Sequence, residues 1–323
     1  MIVTLSANSS LDKTVNLEQT LVPGGVHRII STHTDLGGKG INVARVAQEA
    51  GFPVRCVLPA KTQDPILELL DQVDLPYVCT EIPEAVRTNL TVIDASGETT
   101  KINEPGPTLD VEQEKLLLTA LREQTGTLED SDWVVLAGSL PPGLPDDFYV
   151  TCLQELASCQ GRFAVDTSGQ PLRALGKALG QVKVDLMKPN SFELAELLGG
   201  NGSEMERAAI SGDLLPVARK AKELSERGVG AVLATLGPAG AILITEEGAW
   251  HGTSPDVRVR STVGAGDSSL TGYVLAQSRG KSSEECLATA LAYGAAACAK
   301  VGTQPPTPAE IHPEEAKITK LSL

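Results

Sequence analysis

Strand-like and helical segments alternate along most of this chain, and that alternation limits the fold more than any single residue does. Short apolar runs rich in Val, Ile, Leu and Ala are followed by stretches whose apolar positions recur at the helical period. Runs that are apolar at every position suit strands buried on both faces, with the intervening helices as covering layers. The expected fold is α/β: a mostly parallel central sheet with helices on both faces. Strands are expected at 2–7, 54–58, 133–137, 163–165, 182–187, 231–235 and 241–245. Helices are expected at 39–50, 66–72, 110–124, 146–159, 191–198, 213–227, 266–278 and 284–299, the last two closing the chain. Gly51 and Pro53 supply the usual C-terminal punctuation of the first helix. Two segments break the alternation. Residues 10–36 and 88–106 are short, polar and extended, with turn signals at Pro23-Gly24-Gly25 and Ser96-Gly97. They predict a small β-lid built from two distant parts of the sequence. Residues 1–323 thus read as one large domain carrying that lid.

Composition narrows the function classes. The chain has 27 basic and 41 acidic residues and a net charge of −14. That balance argues against nucleic-acid binding, which needs a positive field. Aromatic residues make up 3%, too few for base-stacking platforms. No apolar run approaches the roughly 18 residues of a membrane span. The opening Met1-Ile2-Val3-Thr4-Leu5-Ser6 alternates like a strand and lacks the basic and apolar regions of a secretory signal. The six cysteines show no C-x-x-C spacing, so free thiols in a reducing, cytoplasmic setting are expected. The four histidines have no metal-like spacing.

Two Gly-rich segments carry the chemistry. Ser261-Thr262-Val263-Gly264-Ala265-Gly266-Asp267-Ser268-Ser269 passes from extended residues through a tight turn into a helix. Free amides at a helix N-terminus form an anion hole, and glycines let the anion approach. Asp267, at the mouth of that hole, can take a proton from an attacking hydroxyl while the amides hold a phosphoryl group. The plainer alternative is that Asp267 only complements the helix dipole, an effect of about 0.3–1 kcal/mol. The second segment is Asp35-Leu36-Gly37-Gly38-Lys39-Gly40-Ile41-Asn42-Val43-Ala44-Arg45. Its Lys and Asn can bond sugar hydroxyls or phosphate. No P-loop is present, because Leu275 stands where the motif ending in Gly280-Lys281-Ser282 requires glycine. No G-x-G-x-x-G follows the first strand, which disfavours a dinucleotide-binding dehydrogenase.

Together, GGKGINVAR at 37–45 and STVGAGDSS at 261–269 resemble the two signatures of the ribokinase-like pfkB carbohydrate kinases. The order and separation of the two motifs also match, and the resemblance extends over essentially the whole chain. It implies a three-layer α/β/α sandwich with a small β-lid, ATP and Mg²⁺ as cofactors, and phosphorylation of a sugar hydroxyl. Asn8-Ser9-Ser10-Leu11-Asp12-Lys13-Thr14 is similar to the opening of 1-phosphofructokinases and tagatose-6-phosphate kinases, with Ser9 where Pro is usual. Arg87-Thr88-Asn89, residues 102–107 and residues 136–143 resemble the same group.

By that resemblance Asp267 is the base, and Gly264, Ala265 and Gly266 form the anion hole. Asp12, Gly38, Asn42 and Ser139 hold the sugar, while Lys39 and Arg87 face its phosphate. At the nucleotide end, Lys188, Asn190 and Glu193 match the N-x-x-E segment, with Asn190 and Glu193 holding magnesium through water. Thr235, Gly237 and Gly240 match the loop covering the nucleotide. The implied reaction phosphorylates the C6 hydroxyl of fructose 1-phosphate to give fructose 1,6-bisphosphate. Tagatose-6-phosphate kinase and 6-phosphofructokinase are the alternatives, and a non-catalytic sugar-phosphate sensor is a more remote one. An exposed β-lid is a pairing liability, and the resemblance implies a homodimer through it. The partners expected are thus small molecules and a second copy of the chain, with no nucleic acid and no membrane. Residues 59–65 lack the Gly-rich run usual in the subgroup, so contacts there are expected to differ.

Overall fold

The computed structural model describes residues 1–323. The chain opens with β1 (Ile2–Leu5), then the hairpin of β2 (Ser10–Leu17) and β3 (Ile29–Gly37), which runs straight into α1 (Lys39–Glu49). Next come β4 (Val54–Ala60), α2 (Pro65–Gln72), β5 (Tyr77–Glu81) and a second hairpin, β6 (Arg87–Ile93) and β7 (Thr99–Asn103). Regular alternation follows: α3 (Val111–Thr125), β8 (Trp133–Ala137), α4 (Phe148–Glu155), β9 (Arg162–Asp166), α5 (Gly169–Ala178) and β10 (Val184–Met187). Three helices, α6 (Ser191–Leu198), α7 (Gly202–Ile210) and α8 (Leu215–Glu226), precede β11 (Val229–Thr235), β12 (Ala241–Thr245) and β13 (Gly248–Thr253). The chain ends with α9 (Ala265–Ser278), α10 (Ser283–Cys298) and β14 (Lys317–Leu321).

Ten strands form one sheet in the order β14-β13-β12-β11-β10-β9-β8-β1-β4-β5. From β11 through β5 every pairing is parallel, and β12, β13 and β14 add an antiparallel edge. The unbroken apolar runs have a direct cause. In β8, Val134 and Leu136 enter one core, while Trp133, Val135 and Ala137 enter the other. Alternate residues point to opposite faces, so a strand covered on both sides must be apolar throughout. Leu117, Leu153, Leu172 and Leu194, from α3 to α6, fill the first core. Ile41, Ile66, Leu270 and Leu287, from α1, α2, α9 and α10, fill the second. Full burial of one such side chain is worth about 1.5–3 kcal/mol. The result is an α/β/α sandwich, as the sequence implies.

The two predicted polar segments form a separate four-stranded sheet in the order β3-β2-β6-β7. Here β2 and β6 pair in parallel, from Ser10 opposite Arg87 to Asn16 opposite Ile93. β2 thereby brings the two distant segments side by side.

Several elements differ from expectation. β1 stops at Leu5 rather than residue 7, and α4 spans Phe148–Glu155 rather than 146–159. The chain closes on β14, which pairs antiparallel with β13, and not on α10. β5 and β14 escape a hydrophobic reading because they edge the sheet and are only partly buried. α5 is hidden by Gly169, Pro171 and Gly176. α7 stands out only through Asn201, whose side chain caps it by accepting from the amides of Ser203 and Glu204.

The C-terminal ends of β1, β8, β9 and β10 share one edge of the sheet. Open α/β sheets bind ligands beyond that edge. The N-termini of α1, α6 and α9 and the end of β11 meet there too.

Candidate active site

Asp267 sits in the first turn of α9 and is 7% exposed. Gly264 caps that helix in the left-handed conformation, with φ of 78°, where an L side chain is strained. The first helical hydrogen bond runs from the Ser268 amide to the Gly264 carbonyl at 2.8 Å. The Gly266 and Asp267 amides therefore precede the helical ladder and point out of the helix end. The Ala265 amide instead makes a long bond of 3.4 Å to the Thr262 carbonyl. Of the three residues assigned to the anion hole, Gly264 and Gly266 line the cavity at this edge, and Ala265 belongs to the turn beneath it.

That cavity has a volume of about 400 Å³. Gly38, Lys39 and Asn42 enter it from α1, and Arg87 and Asn89 from β6. Lys188, Asn190, Glu193 and Thr235 border it from the side of β10, α6 and β11. Gly38, at φ of 110°, makes the turn from β3 into α1. Asn42 does not face open space. Its amide donates to Asp267 Oδ2 at 2.8 Å across 225 residues of sequence, so it orients the carboxylate as well as lining the sugar side.

The residue that sequence reasoning missed is Asp166, the last residue of β9 and 2% exposed. Lys39 Nζ lies 2.8 Å from its Oδ1, and Lys188 Nζ lies 3.1 Å from its Oδ2. Lys39, assigned to the sugar phosphate, is thus tied to a buried carboxylate at the centre of the cavity. Lys188, assigned to the nucleotide, is its partner there. The only sequence signal for Asp166 is a carboxylate at the carboxyl end of an otherwise apolar strand.

The electrostatics follow from this packing. Burial pushes the Asp267 carboxyl above the usual range, and the like charge of Asp166 adds to it, against Lys39, the Asn42 hydrogen bond and Lys188. Burial alone would raise Asp166 too, but the Lys188 and Lys39 charges hold it low. Burial raises Glu193. Lys39 stays firmly protonated, because Asp166, Asp267 and Glu193 outweigh its own burial. The site therefore holds one carboxylate kept ionised and another poised to take a proton, the division that acid–base chemistry exploits.

The other assigned residues are placed as follows. Asp12 is not among the residues lining the cavity; its Oδ1 accepts from Ser10 Oγ at 2.8 Å and from Asn89 Nδ2 at 3.0 Å. Ser139 lines an adjoining cavity that shares Arg87. The Arg87 guanidinium reaches Ser139 Oγ at 3.4 Å and the Glu104 carbonyl at 3.3 Å, and its buried Nε has no partner. Gly237 and Gly240 do not line the cavity; they form a turn closed by the Leu236 amide on the Gly240 carbonyl at 2.8 Å. Asn190 caps α6, and its Oδ1 accepts from the amides of both Phe192 and Glu193. That oxygen is therefore engaged as the helix cap. Glu193 gives one oxygen to the Asn190 amide and keeps the other. In the departing 59–65 segment, Asp64 caps α2 and accepts the Val86 amide at 2.9 Å, which anchors the start of β6.

A model of the pfkB family carbohydrate kinases matches residues 8–310. The chain belongs to this family. It is 32% identical over 317 residues to the 1-phosphofructokinase of Rhodobacter capsulatus, covering 95% of this chain and 93% of that one. It is equally 32% identical, over 307 residues, to the ATP-dependent 6-phosphofructokinase isozyme 2 of Escherichia coli, with 94% of each chain covered. The crystal structure of Escherichia coli phosphofructokinase-2 in complex with substrates and products superposes with a TM-score of 0.82, at 30% identity and 96% coverage of both chains. This pfkB protein is accordingly an ATP-dependent phosphotransferase acting on a sugar phosphate. No helix is long and apolar enough to cross a membrane, and all six cysteines are free.

Proposed function

We propose that this protein transfers the γ-phosphoryl group of ATP to the primary C1 hydroxyl of fructose 6-phosphate. The observation that carries the chemistry is Asp267: a buried carboxylate of raised pKa beside two helix-end amides and a lysine ammonium. As the sugar oxygen attacks phosphorus, its proton passes to Asp267 and the bond from phosphorus to the bridging oxygen of ADP breaks. Phosphoryl transfer depends mainly on positioning and charge stabilisation. The Gly266 and Asp267 amides and the Lys39 ammonium offer that stabilisation, and Asn42 holds the base in place. Arg87, with donors to spare, suits the phosphate at the far end of the sugar. Magnesium, when it arrives with the nucleotide, neutralises phosphate charge. Glu193, through its free oxygen, is the residue suited to its hydration shell. No cluster of three or more His, Cys, Asp or Glu is arranged as a metal site.

The choice of fructose 6-phosphate is supported by the solved Escherichia coli phosphofructokinase-2 in complex with fructose 6-phosphate, which this chain resembles with a TM-score of 0.80. The sequence motifs favour fructose 1-phosphate, and the 1-phosphofructokinase relative of equal identity supports that second reading. Both substrates present a primary hydroxyl at one end and a phosphate at the other, and both give fructose 1,6-bisphosphate. A coupled ADP-release assay comparing kcat/KM for fructose 6-phosphate, fructose 1-phosphate and tagatose 6-phosphate separates them. A tenfold preference, about 1.4 kcal/mol, for fructose 6-phosphate supports the proposal. The same preference for either other sugar overturns the substrate and keeps the base. No turnover with any of them revives the sensor reading.

The same proposal includes a homodimer through the small sheet. Ile29, Ile30 and Ile102 on it, and Val26 in the β2–β3 connection, are more than half exposed, a cost that a second lid would relieve. Small-angle scattering should give a dimer mass; a monomer at working concentration rejects this part alone.

A further inference from the structure

Asn8 lies between β1 and β2 and is 6% exposed. Its side-chain amide has two donor protons, and both are engaged. One goes to the Pro105 carbonyl at 3.0 Å, between β7 and α3, and the other to Ser139 Oγ at 3.3 Å, just beyond β8. A carbonyl can only accept, so Pro105 decides which end of the amide faces it. Turning the amide over would set its oxygen against the Pro105 oxygen. As it stands, Oδ1 packs over Gly106, where a Cβ would come within 2.2 Å of it. The bare glycine leaves the room that this orientation needs.

The orientation of Asn8 decides what Ser139 can offer. Ser139 Oγ accepts from Asn8 Nδ2 and, at 3.4 Å, from the Arg87 guanidinium. A hydroxyl has two lone pairs and one proton. With donors on both lone pairs, the proton is the part left over. Ser139 is exposed and lines the adjoining cavity, of about 480 Å³, with Arg87 and Asn8, so that proton turns toward the cavity. Arg87 and Ser139 then present donors side by side. A phosphoryl group meets them with acceptor oxygens alone, whereas a free hydroxyl would bring a proton of its own.

We propose that Asn8 is a positioning residue for the phosphate end of the sugar: it turns the Ser139 hydroxyl into a donor and so favours a phosphoryl group there. Asn8 has this role on the reading, given above, that places the sugar's phosphate at Arg87. It acts through Ser139 and takes no part in the transfer at Asp267.

Isothermal titration calorimetry without nucleotide reads the phosphosugar Kd directly. The probe is fructose 6-phosphate, or fructose 1-phosphate if the ADP-release assay selects that sugar. Asn8→Ala should weaken binding about three- to tenfold, the worth of one hydrogen bond, while KM for ATP holds. In a Ser139→Ala background the same substitution should change Kd by less than about twofold, because the group it acts through is gone. That loss of effect is what a merely structural role would not produce. Asn8→Leu, close in shape and without a donor, serves if Asn8→Ala does not fold. The proposal is overturned if Asn8→Ala leaves Kd unchanged while Ser139→Ala weakens it, or if the two losses add in the double variant. If Arg87→Ala and Ser139→Ala both leave Kd unchanged, the phosphate lies elsewhere, and the reading beneath the proposal falls with it.

Discussion

Replacing Asp166 by Asn removes one charge from a site where two ammonium groups depend on it. Lys188 is 6% exposed and Lys39 35% exposed at the side chain. Breaking a buried ion pair by deleting one partner costs about 3–5 kcal/mol, because the remaining charge stays desolvated. Lys188 carries that cost. Lys39 is a third exposed, so water screens it and its share is small. A loss near 3 kcal/mol is therefore expected at pH 7. Unfolding entropy is about 2.1 cal/mol/K per residue, or about 0.7 kcal/mol/K for a chain of this length, so Tm should fall by about 4–5 °C. The pH dependence gives a second check. Asp166 has a lowered folded-state pKa. Its stabilisation is complete above the unfolded carboxyl value of about 3.9 and disappears as pH falls through the lower folded value. Calorimetry of parent and variant at neutral and acid pH should show a gap that closes in acid. A variant that melts within a degree of the parent at pH 7 would refute the claim that charge pairing holds Lys188 in place.

Asp267→Asn should behave in the opposite sense. Its raised folded pKa means that the ionised carboxylate costs stability above that value, so the variant should melt no lower than the parent while kcat drops about 10²–10⁴-fold; near-normal turnover would remove Asp267 as base. The kcat/KM profile should rise with pH on a limb displaced above the ordinary carboxylate value of about 4, and a limb at 4 or below would show that burial does not control the base. Arg87→Ala should raise KM for the phosphosugar about 10- to 100-fold, the worth of a charged hydrogen bond of roughly 1.5–3 kcal/mol. KM for ATP should hold, and an unchanged sugar KM would place Arg87 elsewhere.

What could be read from the sequence tracks what each residue does alone. The core strands announce themselves because burial on two faces leaves no polar position. Asp267 and the glycines around it are legible because a tight turn opening a helix has a local signature. Asp166 is not, since an aspartate ending an apolar strand gains its meaning only from Lys39 and Lys188, which arrive from other elements. Asn190 shows a different limit: a helix cap and a ligand look identical in sequence, and the structure adds the two amides that its oxygen caps. β14 was hidden for a third reason: Lys-Ile-Thr-Lys-Leu has one face on the sheet and belongs to its edge.

Gly38 is the whole joint between the small sheet and the helix that holds the base in register. β3 ends at Gly37 and α1 begins at Lys39, so no linker absorbs movement between them. The first turn of α1 then carries Lys39 to Asp166 and Asn42 to Asp267, so the edge of the small sheet and the orientation of the base share one short stretch of backbone.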